Sequence, residues 1–215
     1  MLSLRSPFPR VRRDNQIAYG GNQMWSDRPT IQKVGCGAVA GLDLLRYLSG
    51  ETGREPLPLA EYNRQLTELC RHYFPLIPGH GINGVTLAIG LNRLFRRWGL
   101  PYHAAWAFSG DRLWERVREM LEQDVPVILS IGPNFPLVWR KERLPFYSRR
   151  ADGSFVRTSS AKSHYVTVTG MDDSWVRISS WGREFFINRQ EYDAFVKQHS
   201  TPLFSNVMYV KRTDL

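Results

Sequence analysis

Two residues in this chain have the type and setting for nucleophilic catalysis, Cys36 and His164. Cys36 opens CGAVAGLDLLRYL, where Val39, Leu42, Leu45 and Leu48 recur at helical spacing. A thiol in the first turn of a helix meets unpaired backbone N–H groups and the positive end of the dipole. Both favour the thiolate, and with a cationic partner the pKa falls to roughly 3.5–7.5. The same N–H groups can hold the oxyanion formed when sulfur attacks a carbonyl. His164 begins the alternating run HYVTVTG, 128 residues after Cys36, and a strand start gives an imidazole the rigid support that a general base needs. The other cysteine, Cys70, falls within a second helical pattern and is expected in the core.

The elements that must position this pair follow from periodicity. Gly37, Ala38, Ala40 and Gly41 crowd the start of the Cys36 helix, a cost in helix propensity that close packing of neighbouring backbone would offset. Further helices are expected over about 59–74, 85–98 and 111–123, and VPVILSI reads as a buried strand. Residues 133–162, polar, basic and aromatic with a turn at Asp152 and Gly153, are expected as an exposed hairpin or flap. HYVTVTG, WVRISSW and REFFI then alternate as strands. Asn188, with Glu191 three residues on, caps a helix to about His199, and NVMYVKR is a last strand. The layout is α+β in one domain, with a helical half over about 30–124 and an antiparallel sheet half over about 125–215. Residues 1–29, with Pro, Gly and Arg but no apolar periodicity, are expected as an extended N-terminal arm.

Composition limits the alternatives. The chain has 215 residues, 42% of them apolar, enough to bury the core of a domain and against intrinsic disorder. Two cysteines are too few for a disulfide scaffold, and no Cys/His cluster has metal-ligand spacing, so neither a metal nor a cofactor is expected. No export signal or apolar stretch of about 20 residues is visible, so a soluble, cytoplasmic protein that does not engage membranes is expected. The net charge of +9 would attract acidic partners, but no recognition helix, stacking motif or phosphate loop accompanies the basic groups. Nucleic acid is therefore not the expected partner.

Together, the segments QKVGCGAVAGLDLL and HYVTVTGMDDSWVRISSWG make the chain resemble the papain-like cysteine peptidases, and most closely the bacterial branch related to bacteriocin-processing, double-glycine-leader peptidases. The resemblance covers about 30–50 and 110–195, and the Cys-to-His spacing is near the roughly 130–150 residues of papain-type enzymes. It implies a papain-like fold with a central nucleophile helix packed on the sheet. It also implies Cys36 as nucleophile, His164 as general acid/base, and Gln32 as side-chain donor to the oxyanion beside the Cys36 N–H. Trp181 would cover the histidine's outer hydrogen bond, and Gly37 and Ser163 would flank the cleft. The position that orients the imidazole falls on Ser179, where the family has Asn or Asp. Serine is shorter and neutral, so it holds the tautomer and an imidazolium less firmly. Gln32, four residues before Cys36, is also nearer to the nucleophile than the family's spacing.

The implied activity is cleavage of an amide bond in a peptide, with the basic excess favouring acidic substrates. Two other readings stay open: a peptide-binding module that kept the cleft and lost the chemistry, and an acyltransferase or amidase using the same Cys/His pair.

Overall fold

A computed structural model describes residues 1–51 and 55–214. Its first strand, β1 (Leu2–Ser3), is followed by the hairpin of β2 (Arg10–Arg13) and β3 (Gln16–Tyr19), a short 3-10 turn at Gln23–Trp25, and two helices, α1 (Pro29–Val34) and α2 (Cys36–Leu48). Next come β4 (Leu57–Pro58), α3 (Leu59–His72), α4 (Gly84–Trp98), β5 (Tyr102–Trp106), α5 (Leu113–Glu122) and β6 (Val127–Ile131). The remainder is β7 (Leu144–Arg149), β8 (Phe155–Ala161), β9 (His164–Met171), β10 (Trp175–Ser180), β11 (Arg183–Asn188), α6 (Arg189–His199) and β12 (Val207–Arg212).

The α+β class is as expected, and the helix boundaries fall where the local signals put them. α4 begins after Asn83, whose side chain accepts the Thr86 N–H, and ends at Gly99 in the left-handed conformation (φ 63°). Asn188 caps α6 by accepting the Glu191 N–H at 3.2 Å. α2 is buried along most of its length, and Gly37 and Gly41 let neighbouring segments approach it. A side-chain carbon on Gly37 would crowd Ile82 and Tyr165, and one on Gly41 would meet Phe74. The helix lies along β9, the strand that begins at His164.

The main sheet has nine strands. Eight run in the order β5-β12-β6-β9-β10-β11-β7-β8, and β1 pairs with the far end of β9. Two expectations change here. The segment read as an exposed flap contains β7 and β8, and β7 pairs with β11, so the hairpin extends the sheet; only residues 132–143 stand out as a loop. The segment read as an extended arm over 1–29 is structured: β2 pairs with β3 and β4, Phe8 and Val11 are buried, and residues 19–22 attach to the β10–β11 turn. Its signal is hidden because its strands have only two to four residues, too short to show a period. The division into halves is not clean either, since β5, from the helical half, pairs with the last strand. No helix among the described residues is long and apolar enough to cross a membrane.

Candidate active site

Cys36 and His164 line one small pocket with Gln23, Asp43, Ser180 and Trp181. Cys36 sits at the start of α2, and its sulfur is within reach of the backbone N–H groups of Gly37 and Tyr165, the latter one peptide bond beyond His164. Ser163 does not line the pocket, but its φ of +50° and its N–H, donated to the Gly132 carbonyl at 3.3 Å, form the bend by which the chain enters β9 at His164.

The imidazole is held from two sides. Its ring stacks on Trp181, with centroids 4.6 Å apart and an interplanar angle of 22°. Its Nε2 shares a hydrogen bond with Ser180 Oγ at 2.8 Å. Trp181 occupies the left-handed region (φ 51°) beside Gly182 (φ 73°), which lets the two residues link β10 directly to β11 as the twist of an antiparallel hairpin requires. A bulky residue in that conformation carries strain, and the stacking on His164 together with the ring of Phe146, 5.6 Å away, is what fixes it.

Ser179, the expected orienting residue, does not perform this task. It donates to the Tyr19 carbonyl at 2.9 Å on the face of the sheet toward α2. A bulge explains the exchange. The β9–β10 register slips between Arg177, opposite Gly170, and Ile178, opposite Val168, so Ser179 pairs with Thr167. Without the slip, Ser179 would oppose Val168 and share a face with His164; with it, the next residue, Ser180, takes that face.

Gln32 is displaced in the same sense. Its side-chain amide donates to the Ser26 carbonyl at 2.6 Å, away from the pocket. Gln23 lines the pocket instead, donating one Nε2 proton to the Gln32 carbonyl at 2.7 Å, and the second N–H of the amide has no partner among the described residues. Gln32 therefore contributes through its backbone, by orienting the glutamine that lines the pocket with Cys36. Tyr19 N–H bonds to Gly182 O at 3.0 Å, Gly182 N–H to Gly21 O at 2.8 Å, and Asn22 Nδ2 to Trp181 O at 3.2 Å, so the Gln23 loop is tied to the turn that supports His164.

Beneath this loop lies Asp43, on α2 and only 2% exposed. Its carboxylate accepts the Gly21 N–H at 2.9 Å and the Tyr62 hydroxyl at 3.1 Å. Gly20 and Gly21 have no room for a side chain: a Cβ on Gly20, at φ +74°, would collide with Ser179 Oγ, and one on Gly21 with the Tyr62 hydroxyl.

The electrostatics differ from those expected of a helix-start thiol. Burial pushes the Cys36 thiol above its ordinary pKa, and the nearby N–H groups offset this only in part. Burial, reinforced by the Arg143 guanidinium, lowers His164 to about 4. Among the described residues no carboxylate orients the ring to compensate an imidazolium, and the resting pair is a neutral thiol and a neutral imidazole. Cys70 is partly buried on α3, and burial raises its thiol to about 12, in keeping with a packing role.

No protein-family model, curated protein or solved structure matches this chain.

Proposed function

We propose that this protein is a thiol hydrolase of papain-like architecture that cleaves an amide bond in a peptide through an acyl-enzyme on Cys36. The observation that carries the reading is that a helix-start thiol, a strand-start imidazole 128 residues away and a side-chain amide line one pocket.

With the proton on Nε2 and donated to Ser180, His164 has Nδ1 as its base. Because the pair rests neutral, the thiol proton passes to Nδ1 as the carbon–sulfur bond forms, and no preformed thiolate is required. The tetrahedral oxyanion then accepts the second Gln23 N–H and the Cys36 backbone N–H. The imidazolium returns its proton to the departing amine as the carbon–nitrogen bond breaks. Water, deprotonated by His164, next releases the acyl group and restores the thiol. Trp181 shields the Nε2 hydrogen bond from water through its stacked ring.

The direct test is peptide turnover followed by mass spectrometry. Cleavage is expected with the wild type and lost in Cys36→Ala and His164→Ala. Cleavage that persists in Cys36→Ala overturns the reading. A second reading, a binding module that retains the cleft, draws on the hydroxyl at Ser180 where an amide or carboxylate would hold an imidazolium more firmly. Any Cys36-dependent turnover by the wild type excludes it.

A further inference from the structure

The end of the sheet at which His164 lies also carries an apolar and basic surface. Strand directions bring the loops after β5 and β6 and before β12 to this end. Ile131 pairs with His164, the following Gly132 accepts the Ser163 N–H, and Phe204 packs so closely on Gly132 that a side chain there would collide with it. Phe204 meets Phe135 with ring centroids 5.6 Å apart. Phe135 (44%) is exposed, as are Leu203 (51%), next to Phe204 in the chain, and Trp139 (72%), four residues beyond Phe135 in the same loop.

The loop that displays Trp139 is braced. Buried Asn134 accepts the Glu142 N–H at 3.0 Å and donates to the Glu142 carbonyl at 3.2 Å, closing the loop at its base. Phe135 N–H bonds to His199 O at 3.0 Å, and Lys162 Nζ donates to Arg140 O at 3.1 Å. Large apolar side chains presented by a pinned loop mark a surface that something covers.

The charge of the surface says what kind of partner fits. Arg140 and Arg143 form no ion pair with an acidic side chain among the described residues. Arg143 is held by Ser160, Nε to Oγ at 3.1 Å and Nη2 to the carbonyl at 2.9 Å, and lies near enough to His164 to disfavour its charged form. Its remaining donors suit a carboxylate.

We propose that this surface docks the substrate polypeptide, seating an apolar side chain against Phe135, Trp139 and Phe204 and an acidic one on Arg143. The inference rests on the peptide-hydrolase reading and narrows its substrate class to segments in which apolar and acidic residues adjoin the scissile amide. Phe204 packs on Gly132, which follows the strand partner of His164, so the apolar pair and the imidazole stand at the same end of the sheet, and a scissile amide is something a polypeptide carries and a bilayer surface does not.

The test uses fluorescent peptides with the full-length Cys36→Ala variant, so binding is measured without turnover. A peptide of alternating Leu and Glu is expected to bind at least about tenfold more tightly than the matching Leu–Lys and Gly–Ser peptides, with the preference shrinking in high salt. Trp139→Ala should weaken binding of all Leu-containing peptides. Arg143→Gln should remove the preference for Glu over Lys, with circular dichroism showing that each variant keeps its fold. Equal binding of all three peptides, binding indifferent to both substitutions, or binding only to anionic phospholipid vesicles each overturns the proposal. If the Leu–Glu peptide binds as expected but the wild type leaves it uncut, the docking surface stands and the hydrolase reading fails. If peptides are cut with no preference for acidic apolar segments, the hydrolase stands and the docking surface fails.

Discussion

Nε2 of His164 lies 2.8 Å from Oγ of Ser180, while the neighbouring Ser179 turns to the opposite face and bonds the Tyr19 carbonyl. Two adjacent serines thus have separable tasks. Ser180→Ala should lower kcat by about 10–100-fold through loss of imidazole orientation, and Ser180→Asn should retain much of the rate. Ser179→Ala should leave kcat nearly unchanged and lower stability by about 1 kcal/mol. Steady-state kinetics with urea melts of the variants check both.

The two glutamines should separate in the same way. Gln23→Ala removes a donor to the oxyanion and should reduce kcat by about 10²–10³-fold with little change in KM. Gln32→Ala keeps the backbone carbonyl that orients Gln23 and should cost far less. Equal losses in the two variants would contradict the assignment.

The pH profile follows from the neutral resting pair. His164 must be unprotonated to act as a base, so activity is present above its pKa and lost as pH falls through about 4. Burial is the main cause of that low value and the Arg143 guanidinium adds to it, so Arg143→Ala should move the acid limb of kcat/KM upward. An acid limb that stays in place would remove Arg143 from the account.

Asp43 gives a stability signature of its own. Burial raises it to about 7, against hydrogen bonds from Gly21 and Tyr62 and the charge of Arg46, all of which lower it. A folded pKa above the unfolded one means that the stability Asp43 contributes is full at low pH and is lost as pH rises from about 4 to about 7. The loss is on the order of 4 kcal/mol, since each tenfold change in the protonation equilibrium is worth about 1.4 kcal/mol. Asp43→Asn cannot ionise, so its urea midpoint should change less than that of the wild type between pH 5 and pH 8. The same change in both proteins would show that Asp43 does not titrate in that range.

What can be read in the sequence, and what cannot, has physical causes. Cys36 and His164 are legible because each opens a long periodic element, a helix with a continuous apolar face and a strand with strict alternation. Ser180 is not, because the slip that skips Thr169 of β9 opposite Arg177 and Ile178 leaves no mark on the alternation of WVRISS yet reverses which serine faces the histidine. Gln23 escapes sequence reasoning because it lies on a 3-10 turn in a stretch without period. Its one local signal is YGGNQ: two glycines that leave room for Tyr62 and Ser179, then an asparagine whose side chain accepts the Met24 N–H. The thiol's raised pKa is also beyond the sequence, since the helix dipole is a local property and burial is a tertiary one.

The central claim is an acyl group carried on Cys36 with His164 as its proton shuttle. It is tested most directly by mixing the protein with an activated peptidyl ester, quenching in acid and mapping the adduct by mass spectrometry. The expected result is one acyl group on the fragment containing Cys36, none on Cys70, none in Cys36→Ala, and formation slowed at least about 100-fold in His164→Ala. An adduct absent from Cys36, or one that forms there at the same rate without His164, would contradict it.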